Sequence, residues 1–192
     1  GLPALIGQFA SALTARGISP EDLRQAFGEE LEVAGDWAGD ARWPTFFVTL
    51  PVNDSARAHK IAEALTSVEI VGTPWTREEK NGVLFYNAQP FGGFVPVNPA
   101  IAISDRVMLA GSDFAAVESA LTKVAKPANE LEQSAAFRDA AALVPPADSA
   151  FNYVDTRLLF ERADAALRPL LLMGATFYPD LGKNVDMAKL PP

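Results

Sequence analysis

The sequence predicts an α+β fold in which a mostly antiparallel sheet is built from hairpins and helices pack mainly on one face. Two observations lead to this prediction. A hairpin followed by a helix occurs twice, over residues 31–65 and 101–124. Asn81-Gly82 stands between two strand-like runs, and this dipeptide is the strongest short signal for a tight hairpin turn. Runs of hairpins with helices between them are typical of an antiparallel sheet with helices layered against it.

The chain opens with two helices and a strand. Apolar residues recur at helical spacing over residues 2–13, and Gly17 ends this first helix. Ser19 is placed to cap a second, shorter helix. Leu31 and Val33 then alternate with glutamates, which predicts a half-buried strand.

Five further runs are predicted to be strands of one sheet: residues 45–50, 83–88, 101–103, 107–110 and 151–154. They are rich in aliphatic and aromatic residues and are bounded by turn-forming residues. A helix is predicted near residues 58–65, where apolar positions have helical spacing. A long final helix is expected to begin at Asp155 or Thr156 and to kink or restart at Pro169.

The composition is that of an ordinary soluble globular protein, with 49% hydrophobic and 21% charged residues. A chain of 192 residues can bury a full core without metal or disulfides, so we expect a single α+β domain over residues 1–192. The net charge of −8 opposes non-specific nucleic-acid binding, which needs a basic surface. No run approaches the roughly 20 apolar residues that span a bilayer, so no membrane-spanning segment is expected.

The chain contains no cysteine and a single histidine, His59. This excludes a disulfide scaffold and a zinc finger, and no metal or cofactor is indicated. Most nucleophile and general-base chemistry also draws on these two residue types, so we expect a non-catalytic protein. His59 lies among Ala56, Lys60 and Glu63, and we interpret it as a partly solvated boundary residue. The absence of thiols fits an oxidising extracytoplasmic compartment, although it also occurs in cytoplasmic proteins.

Several acidic residues have plain structural interpretations. Asp36 and Asp40 are spaced as in a calcium loop, but the alternating acids and closing glutamate of an EF-hand are missing, so a turn is predicted. Glutamates at positions 29, 30 and 32 are interpreted as a solvated strand face. Residues 111–113, Gly-Ser-Asp, are better explained by helix capping than by a nucleophile turn. A hydrolase using two carboxylates stays open as a third function.

The candidate ligand-binding residues form one loop: Phe91, Gly92, Gly93, Phe94 and Val95. The loop lacks the Lys-Ser/Thr of a phosphate-binding loop, so nucleotide binding is not supported. Its apolar side chains can line a binding surface or pack back onto the core. In the first case the protein would carry an apolar ligand, with this loop at the mouth of the concave face of the sheet.

The final helix carries a second candidate surface. Leu171, Leu172 and Met173 leave the apolar stripe of the preceding turns and point to other sides. A helix that is apolar all round is buried in its own core or against a partner. We therefore predict that these residues contact a protein partner, a second copy of the chain, or a part of the native protein outside this sequence. The leading Gly1 and the ending over residues 189–192 favour a fragment of a longer protein.

Two segments carry a resemblance. Residues 100–112, AIAISDRVMLAGS, and residues 150–159, AFNYVDTRLL, resemble segments of secreted or surface-anchored bacterial domains of unknown function. In such domains a hairpin leads into a helix, and a strand ending in Val-Asp leads into another. With the helices that follow the two segments, the likeness covers about a third of the chain, and it implies no catalytic residues. It implies a bacterial extracytoplasmic location. Our leading interpretation is a non-catalytic binding or scaffolding domain; the alternative is a carrier of an apolar ligand.

Overall fold

The computed structural model describes residues 2–37, 41, 43–69, 74–89, 97–125, 130–145 and 149–177. The chain divides into two compact units. Unit 1 comprises Gly1–Asp36 with Pro44–Ala128, and unit 2 comprises Trp37–Trp43 with Asn129–Pro192. The expectation that residues 1–192 form a single domain stays a prediction.

Unit 1 contains a sheet and four of the described helices. The helices are α1 (Leu2–Ala15), α2 (Pro20–Phe27), α3 (Ser55–Leu65) and α4 (Phe114–Ala125). The strands are β1 (Glu32–Asp36), β2 (Thr45–Pro51), β3 (Trp75–Lys80), β4 (Val83–Ala88), β5 (Ala100–Ile103) and β6 (Val107–Gly111). Their order is β1-β2-β6-β5-β4-β3, and every neighbouring pair is antiparallel. The α+β prediction is confirmed, as are the strands predicted at 45–50, 83–88, 101–103 and 107–110.

The predicted hairpin turn at Asn81-Gly82 is also present. Lys80 of β3 pairs with Val83 of β4, which leaves two residues in the turn. Both have positive φ, 54° at Asn81 and 75° at Gly82. A two-residue turn with positive φ at both positions matches the right-handed twist of the two strands that it joins.

The sheet has a hydrophobic core on each face. Alternate residues of β4, such as Leu84 and Tyr86, pack with α1, α2 and α3. The residues between them, such as Phe85, pack with Val117 and Ala120 of α4 on the opposite face. Three of these four helices therefore share one face, as predicted, while α4 covers the other. The period-two alternation of a strand places consecutive residues in the two cores.

Helices α2 and α3 begin at side chains that cap them. Ser19 Oγ accepts a hydrogen bond from the Asp22 backbone N–H at 3.2 Å, and Asp22 Oδ2 accepts one from the Ser19 N–H at 2.8 Å. At α3, Asp54 Oδ1 accepts from the Arg57 N–H at 3.1 Å. These bonds satisfy N–H groups that have no partner within the helix.

Unit 2 is described as α5 (Glu130–Gln133), α6 (Ala135–Ala141) and α7 (Thr156–Phe177). The prediction of a strand at 151–154 is wrong, because these residues form no regular secondary structure. Phe151 and Tyr153 instead contact Phe137 of α6, with ring centroids 5.8 and 5.1 Å apart. The alternating aromatic residues that led to the strand prediction are the two that contact Phe137. Helix α7 continues through Pro169, so the expected restart is absent, while a kink at Pro169 stays a prediction.

Candidate functional site

A serine, a histidine and an aspartate meet where α3 begins. Ser55 and His59 lie one turn apart on α3, and Asp105 comes from the turn between β5 and β6. Ser55 Oγ donates a hydrogen bond to Asp105 Oδ1 at 2.7 Å. The same hydroxyl lies 3.4 Å from His59 Nδ1. These three residue types are those of a hydrolytic triad, so their bonding decides what they can do.

The hydrogen bonds among these three residues are arranged differently from those of a catalytic triad. His59 Nδ1 lies 2.8 Å from the carbonyl oxygen of Ser55. A carbonyl only accepts, so Nδ1 carries the proton in this bond and cannot also take one from Ser55 Oγ. The Ser55 hydroxyl donates its hydrogen bond to Asp105. In a triad the serine hydroxyl donates to the histidine, and the aspartate accepts a hydrogen bond from the other nitrogen of the histidine ring. The cluster ties α3 to the β5–β6 turn, and His59 is half-buried as the sequence indicated.

The candidate loop Phe91–Val95 lies outside the described residues. The chain on either side of it is described, and the Ala88 N–H donates to the Pro99 carbonyl at 2.9 Å. Beside Pro99 lies an apolar cleft of about 290 Å³. Its lining comes from α1, the end of α3 and three strands: Phe9, Leu65, Trp75, Pro99, Ala100, Ile101, Ala110 and Gly111. Trp75 is held there by a hydrogen bond from Nε1 to the Val68 carbonyl at 2.9 Å.

A second depression, of about 460 Å³, lies between α4 and the β3–β4 hairpin. Lys80 Nζ crosses it to Glu118 Oε1 at 2.6 Å. The hydrogen bond and charge of Glu118 raise the pKa of the Lys80 ammonium above its usual value. Both side chains are about half exposed, so this pair contributes little to stability.

The acidic candidates have structural roles. Asp36 ends β1 and Asp40 lies outside the described residues. Within the described ranges, no three histidine, aspartate or glutamate side chains converge as metal ligands would. Ser112 Oγ accepts from the Phe46 N–H at 3.0 Å, and Asp113 Oδ1 accepts from the Ala116 N–H at 3.0 Å. Residues 111–113 therefore join β2 to β6 and cap α4, as the sequence indicated.

Tyr86 is a buried core residue that carries a polar group. The side chain is 4% exposed, and its hydroxyl has no hydrogen-bond partner among the described residues. Burial raises the pKa of the Tyr86 hydroxyl, while the charge of Arg77 opposes the shift in part. Loss of solvation disfavours the phenolate. The hydroxyl does not line either depression.

Large apolar side chains are exposed in unit 2. The most exposed are Leu143 at 86%, Phe160 at 73% and Val154 at 62%. Among the unit 2 side chains that the structure describes, none is fully buried. The side chains of Leu171, Leu172 and Met173 lie outside the described part, although their backbone belongs to α7.

The sequence reasoning missed two groups of residues. Ser55 stands four residues before His59, and this spacing alone places both on one side of a helix. Trp75 and Phe9 meet at the cleft from distant parts of the chain, and no local pattern brings them together.

The chain matches no protein-family model, no curated protein and no solved structure. No helix in the described ranges combines the length and apolar character needed to cross a membrane.

Proposed function

We propose that the chain is a non-catalytic binding or scaffolding domain of a bacterial extracytoplasmic protein. The observation that carries this proposal is the exposed apolar surface of unit 2, with Phe160 73% exposed on α7. Soluble proteins rarely leave contiguous apolar patches in water, and such patches mark interaction sites. Burying one such side chain is worth roughly 1.5–3 kcal/mol, which favours a partner that covers them.

The apolar residues of α7 form a stripe. At about 100° per residue, Leu159, Phe160, Ala163 and Leu167 fall within about 100° of the helix surface. Leu159, Phe160 and Leu167 are each at least 46% exposed. An amphipathic helix of this kind binds by laying its stripe into an apolar groove. We propose that Leu171, Leu172 and Met173, which point to other sides of α7, add further apolar contacts with a partner.

Photo-crosslinking in the source cells tests the binding role. A photoreactive phenylalanine at position 160 replaces one aromatic ring with another, so the fold should be kept. The matched control places the same group at Ala165, which is exposed on another side of α7. We expect one discrete cross-linked protein from position 160 and none from position 165. The absence of a product at 160, or equal products at both positions, would contradict a binding surface on α7.

The apolar cleft supports carriage of an apolar ligand as a second candidate function. Its volume of about 290 Å³ lies near the lower end of the range for small-molecule sites, about 300–1,000 Å³. Its lining is aliphatic and aromatic, and the candidate loop Phe91–Val95 rejoins the described chain close to Pro99. A ligand with a short hydrocarbon chain fits this lining by chemistry and by size.

Calorimetric titration with decanoic acid tests the carrier function. Ala110→Leu adds bulk to a residue that lines the cleft. Ala115→Leu makes the same change on the exposed side of α4. We expect decanoic acid to bind the unmodified chain and the Ala115 variant but not the Ala110 variant. Equal binding by all three proteins would place the ligand elsewhere.

The proposed location rests on the lack of cysteine and on the resemblance of residues 100–112 and 150–159 to secreted bacterial domains. Protease added to intact source cells, before and after the outer envelope is opened, tests it. Degradation without lysis of the inner membrane is expected. Protection until the cytoplasm is opened would overturn the location while leaving the binding role standing.

A further inference from the structure

Strand β1 is an unpaired edge with two chemically different faces. It pairs with β2 and ends the strand order, so no described strand pairs with its other side. Leu31 and Val33 are 61% and 65% exposed. Glu32 and Asp36 lie on the opposite face by strand alternation, and both are exposed. The edge is therefore apolar on one face and acidic on the other.

Phe46 of β2 extends the apolar face. It stands opposite Gly35 in the register, and its ring carbons would lie 3.1 Å from a Cβ added there. The ring thus covers the glycine backbone and remains 55% exposed. Val33 and Phe46 are diagonal neighbours on one face, within reach of each other's side chains. Together with Leu31 they form an apolar patch at the edge of the sheet.

The charged residues of β1 and of the segment just before it have one sign. Glu29, Glu30, Glu32 and Asp36 are all exposed, and residues 25–41 contain no lysine or arginine. The opposite edge, β3, has the sequence WTREEK and carries both signs. Charged side chains at an edge hinder indiscriminate pairing with other strands. At β1 the carboxylates repel acidic strands but attract basic ones.

The same charges disfavour a second copy of β1 paired in the register centred on Ala34. An antiparallel pair of β1 strands centred on Ala34 would place Glu32 of each copy opposite Asp36 of the other. Like charges directly opposed across two strands are destabilising. A strand with basic residues at those positions would instead form opposite-charge pairs, while its alternate apolar residues would meet Val33 and Phe46.

We propose that β1 is a docking edge for an extended segment of a partner protein in which basic and apolar residues alternate. The segment adds a seventh strand to the described six-stranded sheet. Main-chain hydrogen bonds supply affinity, and the alternation of side chains supplies specificity. This edge is distinct from the stripe on α7, so either proposal can fail without the other.

The test uses labelled peptides of about eight residues, a common strand length, and fluorescence anisotropy on the whole chain. The probe alternates lysine and valine; the comparison peptides alternate glutamate and valine, or carry lysines and valines in two blocks. The double variant Glu32→Lys, Asp36→Lys reverses the charge of both acidic residues on β1. Glu78→Lys with Glu79→Lys reverses two exposed charges on β3 and changes the net charge of the chain equally.

We expect the alternating lysine–valine peptide to bind the unmodified chain and the β3 variant with similar affinity. The β1 variant should bind it about tenfold more weakly, because two attractive cross-strand pairs become repulsive, and should gain affinity for the glutamate–valine peptide. Equal weakening by both variants would mean attraction to net charge only. Equal binding of the block peptide, or no binding of the alternating one, would also overturn the proposal.

Discussion

Gly111 and Val117 approach each other so closely that a Cβ added to Gly111 would lie 2.6 Å from Val117 Cγ2. The same added atom would lie 3.1 Å from the Phe46 carbonyl oxygen, which belongs to the backbone of β2 and cannot move alone. Gly111 ends β6, and Val117 is fully buried in α4. The absence of a side chain at Gly111 therefore lets α4 pack against the centre of the sheet.

Gly111→Ala should lower the free energy of unfolding by about 1–3 kcal/mol, because overpacking a tight site forces its neighbours to shift. Chemical denaturation measures this. Gly7→Ala is the matched control, since nothing lies within 4 Å of a Cβ there and alanine stabilises a helix by roughly 0.5–1 kcal/mol relative to glycine. A Gly111 variant as stable as the original would mean that α4 does not pack this closely.

Tyr86→Phe should leave the free energy of unfolding unchanged or raise it by up to about 1 kcal/mol. The lost hydroxyl has no partner in the described part of the chain, and removing an unpaired buried polar group is not costly. Tyr86→Ala should lower it by about 3–5 kcal/mol through loss of the buried ring. A clear loss of stability in the phenylalanine variant would reveal a partner for the hydroxyl.

The pKa of the Tyr86 hydroxyl is raised by burial above its usual value of 10.0. The stabilisation from the neutral phenol is therefore present below pH about 10 and is lost as pH rises through the higher folded-state pKa. Stability should fall less steeply above pH about 10 in Tyr86→Phe than in the original chain. Denaturation midpoints measured across this range check the difference, and identical slopes would contradict it.

The sheet was predictable because its signals are local. Asn81-Gly82 fixes one turn, and each confirmed strand is a short apolar run between turn residues. The faces of the helices were harder to predict, since a helix that follows a hairpin can return over either face. Strands β4, β5 and β6 are apolar at consecutive positions, which is typical of strands covered on both faces. This pattern predicts that a helix covers the second face of the sheet, which is where α4 packs.

The failure at residues 151–154 has a different cause. Phe151 and Tyr153 alternate as in a strand, but they contact one aromatic ring on α6 and pair with none of the described strands. Periodicity records which side chains are buried and does not record what buries them. The cleft was not predicted for a similar reason. It brings together Phe9 and Trp75, which are far apart in the sequence, and local periodicity carries no information about such contacts.

Acid should weaken the caps of α2 and α3. Hydrogen bonds from Ser19 hold the pKa of the Asp22 carboxyl below its usual value of 3.8, and the hydrogen bond from the Arg57 backbone does the same for the Asp54 carboxyl. Each contribution is present above pH about 4 and is lost as pH falls through the lowered pKa. Asp22→Asn should make stability less dependent on pH below about 4, measured by acid titration of helicity. An unaltered acid transition would count against the cap.

His59→Ala should change the free energy of unfolding by about 0.5 kcal/mol or less, the range for an ordinary surface substitution. Its ring contacts the Ser55 carbonyl of its own helix and is half-buried. Denaturation of this variant beside Ser55→Ala, which breaks the bond to Asp105, separates the two roles. A much larger loss for His59→Ala than for Ser55→Ala would show that His59 is more than a boundary residue.

Phe137→Ala should loosen unit 2 and leave the sheet of unit 1 unchanged. The Phe137 ring contacts Phe151 and Tyr153, and aromatic pairs add about 0.5–1.5 kcal/mol each beyond their buried area. Without it, the segment leading to Asp155, which caps α7 through the Leu158 N–H at 2.9 Å, loses its anchor on α6. Hydrogen exchange should therefore accelerate over residues 151–158 and stay unchanged in β4 and β5. Phe137→Leu, which keeps an apolar side chain, should show a smaller effect. Acceleration throughout the sheet would show instead that the two units unfold together.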